Sequence, residues 1–166
     1  MVLMGSFVLR LKLALSLIIC ILFTNYAYAN TVMLKDLNGQ QIPFSSLKGK
    51  WVFINYWASW CQPCLDEIAE LNQFYSKHQD KIALFAVNYD MLPLYIQRSL
   101  IKKYRIHYPS LQDDPGTELG FEDIRGVPVT FVFNPAGELS KTLYGPQTLL
   151  SLTEIISLKK KKALRK

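Results

Sequence analysis

WVFINYWASWCQPCLDEIAEL, Trp51 to Leu71, decides how the rest of the 166-residue chain is read. Its first seven residues, Trp51 to Trp57, form a nearly unbroken apolar and β-branched run, the pattern of a strand buried on both faces. Beyond Cys61 the pattern changes. Leu65, Ile68, Leu71 and then Tyr75 are spaced to put one apolar stripe on a helix ending near His78. At the junction stand Cys61 and Cys64, separated by Gln62 and Pro63. Two cysteines at this spacing can form a redox-active disulfide, supply half of a metal site or anchor a haem.

Haem attachment asks for histidine directly after the second cysteine, and that residue is Leu65. A zinc site asks for about four ligands. The chain has only His78 and His107 to add, neither spaced with the pair, and both read as surface or loop histidines. No metal and no cofactor are expected. The redox reading has physical support. A cysteine where a strand gives way to a helix meets free backbone amides and the positive end of the helix dipole, which favour its thiolate. Cys61 takes that place and is expected to be the exposed nucleophile. Cys64, one turn deeper on the same face, is expected to be the shielded thiol that resolves a mixed disulfide. Pro63, with its fixed φ and no N–H, suits the first helical turn.

Residues 31 to 50 read as an extended lead-in with a turn at Asp36–Gly39. Ile82 to Val87 is a second buried strand, and a strand–helix–strand unit of this length implies a parallel crossover. Pro93 to Arg105 reads as a helix, closed off by Tyr108-Pro109. Asp113–Gly116 is a turn, followed by a short helical piece to about Asp123. Val129 to Phe133 is a third strand, Asn134–Gly137 a hairpin turn, Glu138 to Tyr144 its antiparallel return, and Thr148 to Leu158 a last helix. This order gives an α/β fold, a central mixed sheet with helices on both faces.

Pro128 opens the third strand. Proline is disfavoured within strands, so its place needs a reason. A cis Val127–Pro128 peptide facing the cysteines would supply one, leaving the Val127 backbone free to pair with an extended substrate segment. The alternative is an ordinary trans proline in a loop.

The first 29 residues differ in kind. Arg10 and Lys12 precede an uncharged apolar run from Leu13 to Phe23, and Ala27-Tyr28-Ala29 has the small-x-small form that a signal peptidase cuts. A secretory signal peptide cut after Ala29 is expected, with an uncleaved anchor as the alternative. Cys20 follows Leu17-Ile18-Ile19 and lacks the small residue of a lipobox. Removal of this segment leaves two cysteines, and a lone close pair in an oxidising compartment reads as a working dithiol. The net charge of +6 is a matter of the ends, since residues 30–158 carry eleven basic against thirteen acidic side chains. Residues 159–166, KKKKALRK, are a basic tail, either solvated or touching anionic lipid at about 1 kcal/mol per residue. No motif points to nucleic acid.

The motif WCQPC after WVFINYWAS, together with GVPVTFVF from Gly126 to Phe133, resembles the thioredoxin superfamily. More narrowly the chain resembles the TlpA/ResA/DsbE-like branch of extracytoplasmic thiol–disulfide oxidoreductases, over residues 31–158. The lead-in DLNGQQIPFSSLKGK and the helical insert before Gly126 belong to that likeness. It implies a thioredoxin-like domain over residues 30–158. Asn55 matches the branch where thioredoxin proper has a buried aspartate. Glu67 matches the branch's glutamate, on the helix face of Cys64. The resemblance implies that this carboxylate tunes and relays the dithiol's proton, the alternative being a helix-surface carboxylate. Ala69 departs from the family's common proline there. Trp60, Gln62, Pro63 and Val127 are the candidate substrate-docking residues, and Trp57 brackets the approach to Cys61 with Trp60, its alternative reading being core alone.

Function follows as an expectation from the resemblance. The chain should reduce disulfides of specific periplasmic proteins, such as the C-x-x-C-H cysteines of apocytochrome c, with electrons from a membrane reductant of the DsbD/CcdA type. A general oxidant or isomerase is the nearest rival. A non-catalytic thioredoxin-fold binding or metallochaperone module is the other.

Overall fold

The structure is a computed structural model that describes residues 32–121 and 124–163, with side chains to residue 157. The expected export segment with its expected cleavage after Ala29, Cys20, the end of the insert at Asp123, and the side chains of the basic tail lie outside the described residues.

β3 (Trp51–Trp57) is the axis of the molecule. It pairs in parallel with β4 (Ile82–Asn88), Trp51 opposite Ile82 and Trp57 opposite Asn88. On its other side it pairs antiparallel with β5 (Val129–Phe133), which in turn pairs antiparallel with β6 (Leu139–Tyr144). The four-stranded order is β4-β3-β5-β6, the mixed sheet that the sequence pattern implies. The lead-in is a separate two-stranded ribbon, β1 (Met33–Lys35) against β2 (Gln41–Pro43), followed by a 3-10 turn at Phe44–Leu47. Asp36 closes its turn, its Oδ1 accepting from the N–H of Asn38 at 2.9 Å and of Gln40 at 2.8 Å.

Strand alternation sorts the core into two layers. Phe53 and Trp57 of β3, with Leu84 and Ala86 of β4, face α1 (Gln62–His78), α4 (Leu149–Ala163) and the last turn of α2 (Leu94–Lys103). Val52, Ile54 and Tyr56, with Phe85 and Val87, face the opposite way. That second face is covered by the lead-in ribbon, Leu111, and the short helix α3 (Gly116–Leu119) with Phe121, whose ring stacks on Phe131 at 3.9 Å. The helices are thus shared unevenly, the long ones on the dithiol's side. Burying each large apolar side chain stabilises by about 1.5–3 kcal/mol, and Phe53, Trp57, Leu71 and Phe74 are almost wholly buried.

Several readings differ from the sequence pattern, and the short insert helix, for one, ends at Leu119 and not near Asp123 because Gly120 turns to a φ of 69°. The buried face of α1 carries Cys64, Glu67, Ile68, Leu71 and Phe74, so the expected Leu65 and Tyr75 sit at its margin, partly buried. α2 spans Leu94–Lys103, shorter at both ends, because Tyr104 caps it and Arg105 turns to a φ of 54°. α4 runs past Leu158 to Ala163, since lysine is a good helix former and nothing there breaks the helix. Among the described residues no helix is long and apolar enough to cross a membrane.

Candidate active site

β3 ends at Trp57, and Ala58-Ser59-Trp60 turns the chain into α1. Cys61 is the N-cap of that helix, with extended backbone angles, and its Sγ accepts the Cys64 N–H at 3.2 Å. Cys61 and Cys64 are joined as a disulfide with Cα atoms 5.3 Å apart. An amide N–H at a helix N-terminus is the kind of donor that favours a thiolate. Pro63 lies in the first turn, where a missing N–H costs nothing.

Cys64 is fully buried and Cys61 is 5% exposed. The expectation of an exposed nucleophile is corrected on this point. The disulfide packs into the core layer of α1, and Cys61 Sγ lies 3.5 Å from the Val127 carbonyl oxygen, so only an edge reaches solvent. The Val127–Pro128 peptide is cis, which brings the start of β5 against the disulfide. Pro128 is buried and Val127 half-buried. Trp60 is 67% exposed, its indole N–H donating to Asp90 Oδ1 at 2.7 Å. Gln62 is exposed and donates to Asp66. Trp57 is core, edge-on to Tyr104. His107 is exposed, and His78 packs beside Phe74. Among the described residues no group of three His, Cys, Asp or Glu side chains could hold a metal ion.

Glu67 is not a surface carboxylate. It is 2% exposed, on the same buried face of α1 as Cys64. Each of its oxygens has a donor. Asn55 Nδ2 donates to Oε1 at 2.8 Å, and the backbone N–H of Gln147 donates to Oε2 at 2.7 Å. The Asn55 nitrogen also reaches Thr130 Oγ1 at 3.0 Å. Burial raises the Glu67 pKa to about 7, the two hydrogen bonds holding it back from rising further. A carboxyl of that kind exchanges its proton near neutral pH. The hydroxyl of Tyr108, buried and without a partner, is pushed up by burial and then by the charge of Glu67.

Several of these groups carried no signal in the sequence. One turn after Glu67, Glu70 Oε2 accepts the Leu149 N–H at 2.7 Å, so two α1 carboxylates hold the loop that enters α4. Thr148 and Ser151 cap the start of that helix reciprocally. Gln147 before α4, which donates to Glu67, and Thr130 on β5, which accepts from Asn55, lie far along the chain, where no local pattern points to them.

Comparison with known proteins agrees with this geometry. Residues 27–142 match the AhpC/TSA family. The chain is 33% identical over 121 residues to thiol-disulfide oxidoreductase ResA of Bacillus subtilis (strain 168), across 72% of this chain and 67% of that protein. It is 30% identical over 125 residues to the sporulation thiol-disulfide oxidoreductase A of the same organism, across 74% and 75%. The crystal structure of StoA from Bacillus subtilis matches with a TM-score of 0.62 and 30% identity, covering 74% of this chain and 92% of that one. A thiol:disulfide interchange protein of the thioredoxin family from Chlorobium tepidum TLS matches at 0.63 and 27%, covering 76% and 90%. The fold is therefore thioredoxin-like. The chain belongs to the AhpC/TSA family, as a thiol–disulfide oxidoreductase of the ResA/StoA type.

Proposed function

We propose that this oxidoreductase is an exported reductant of specific protein disulfides, with the C-x-x-C-H cysteines of apocytochrome c as its substrate before haem is attached. The observation that carries the direction is the Glu67 carboxyl, buried on the face of Cys64 and ionising near neutral pH. A negative charge there makes a thiolate at the pair costly, whereas the disulfide bears no charge. Strong oxidants of this fold are those whose reduced form is stabilised, and a buried carboxylate works against that.

In the forward reaction the Cys61 thiolate attacks one sulfur of the substrate disulfide. That S–S bond breaks, one substrate thiolate leaves and takes a proton from solvent, and a Cys61–substrate disulfide remains. Glu67 accepts the Cys64 proton, and the Cys64 thiolate attacks Cys61 Sγ. The second substrate thiolate leaves, and the protein is left as the Cys61–Cys64 disulfide. Two electrons have passed to the substrate, and a membrane dithiol of the DsbD/CcdA type returns two to the protein. Trp60 and the Val127 backbone flank Cys61 and would receive the substrate segment.

The export signal in the first 29 residues supports a periplasmic site of action, either free or held by an uncleaved anchor, and the lysine tail would add weak contact with an anionic membrane. Trapping tests the reading. A Cys64→Ser variant should hold an oxidised C-x-x-C-H peptide as a mixed disulfide on Cys61, and the reduced wild type should release it as a dithiol. Oxidation of the reduced peptide by the wild-type disulfide, with no reduction in the other direction, would reverse the assignment.

A further inference from the structure

Among the described residues, five buried side-chain nitrogen and oxygen atoms have no hydrogen-bond partner: Trp57 Nε1, Nδ2 and Oδ1 of Asn88, the Tyr108 hydroxyl and Ser110 Oγ. None of the four residues is more than 8% exposed. Buried polar groups are nearly always paired, so each of these calls for a reason. The register of the sheet gathers all of them in one place. Trp57 of β3 stands opposite Asn88 of β4, on the face turned to α1. Ala86, one pleat before Asn88, shares that face, and Ser110 runs parallel beside Ala86 and points the same way. Tyr108, two residues before Ser110, belongs to the same core layer. The middle of the patch is Ala86, a side chain of one methyl group.

The patch adjoins Glu67. Asn55, whose amide donates to Glu67 Oε1, is the register partner of Ala86 on β3, so the carboxyl sits over the neighbouring strand. Burial and then the charge of Glu67 push the Tyr108 hydroxyl up, which puts the two groups within electrostatic reach. Both groups bonded to the carboxyl, Asn55 Nδ2 and the Gln147 N–H, are donors. They suit the carboxylate. The acid form has an O–H of its own, and neither donor can accept it.

We propose that Trp57, Asn88, Tyr108 and Ser110 bind internal water over Ala86, and that this water accepts the O–H of protonated Glu67, with Tyr108 as the positioning residue. An internal water asks for two to four polar partners, and these atoms supply them. The ligand is water because the groups are neutral, closed to solvent and mixed in kind: the indole N–H only donates, while the amide and the hydroxyls also accept. By holding the acid form, the water sets the pH at which Glu67 can take the Cys64 proton. The inference rests on the proton role of Glu67 in the reductant reading and adds the group that receives its O–H. Of the elements packed around Glu67, β3 presents Asn55, β5 Thr130 and the loop before α4 Gln147, none of them ionisable. The titratable groups are Tyr108, Cys64 and, one turn on, Glu70, which accepts the Leu149 N–H.

The test uses the purified oxidised protein, in which the cysteines do not titrate. Carbon-13 NMR follows the Glu67 carboxyl from pH 4 to 9 in the wild type, Tyr108→Phe and Tyr75→Phe, and a water-selective NOE experiment reads the Trp57 indole N–H. The wild-type carboxyl should inflect near 7, and the indole should contact a long-lived water. Tyr108→Phe keeps the ring and removes the hydroxyl. Its inflection should fall by about half to one pH unit, the worth of one hydrogen bond to the acid form. Tyr75→Phe, whose ring lies 6.3 Å from that of Tyr108, should leave the inflection in place. An inflection that stays or rises in Tyr108→Phe, an equal fall in Tyr75→Phe, or an indole without water contact overturns the water site and leaves the reductant reading standing. A wild-type carboxyl that does not titrate near neutral pH overturns both.

Discussion

Asn55 on β3 donates its amide to Glu67 on α1 at 2.8 Å, a polar bond made inside an apolar layer. It ties the strand that delivers the dithiol to the helix that carries it. With the Gln147 N–H on the other oxygen, it fixes one carboxyl on the Cys64 side of the pair and sets how readily that carboxyl gives up its proton.

Glu67 should make stability depend on pH. Burial raises its pKa from an ordinary 4.5 to about 7. The native state keeps that proton between about 4.5 and 7, where the unfolded chain has lost it, so the contribution is full below 4.5 and is lost as pH rises through 7. The loss is on the order of 3 kcal/mol. Urea unfolding of the oxidised wild type and of Glu67→Gln, compared at several pH values, should show a wild-type disadvantage growing from pH 4.5 to 7 and level above. A flat difference would contradict the burial of this charge.

Asn55→Ala removes a donor that lowers the Glu67 pKa. The acidic limb of the pH–rate profile should move to higher pH, and the protein should lose about 1–3 kcal/mol from the broken buried network. Stopped-flow reduction of a disulfide peptide across pH 5 to 9 reads the first effect, and urea midpoints read the second. An unmoved inflection would mean that Asn55 serves packing alone.

How much of this was open to the sequence depends on the range of each interaction. β3, β5 and α1 were legible because long apolar periodicities need no knowledge of partners, and Cys61, Cys64 and Pro128 announce themselves by spacing and position. The ribbon β1–β2 was not, since strands of three residues carry too little pattern. The buried face of α1 was misplaced by a step because one of its members, Glu67, is a carboxylate and weighs against a hydrophobic stripe. Thr130 and Gln147 could not be found, for they meet Asn55 and Glu67 only through the sheet and the α4 loop.

Phe74 was likewise outside the expected stripe, yet it is fully buried and edge-on to Phe53 at 5.0 Å. Phe74→Ala should cost about 3–5 kcal/mol in urea unfolding, by lost burial and the cavity left behind. Leu150→Ala, at a side chain 69% exposed, should cost within about 0.5 kcal/mol. Equal losses at the two positions would contradict the core described here.

Trp60→Ala separates docking from stability. The indole is 67% exposed and gives up one hydrogen bond to Asp90, so unfolding should change by less than about 1 kcal/mol. kcat/KM for a protein disulfide should fall several-fold, and the rate with a small disulfide such as hydroxyethyl disulfide should fall less. Equal falls on both substrates would remove Trp60 from the docking surface.

The direction of electron flow is the central claim, and the midpoint potential of the Cys61–Cys64 couple tests it most directly. Equilibration of the purified protein against a dithiothreitol or glutathione series gives it. The account predicts a value near or below about −220 mV, on the side of the reducing members of the fold. A value near about −120 mV would contradict it and make this protein an oxidant.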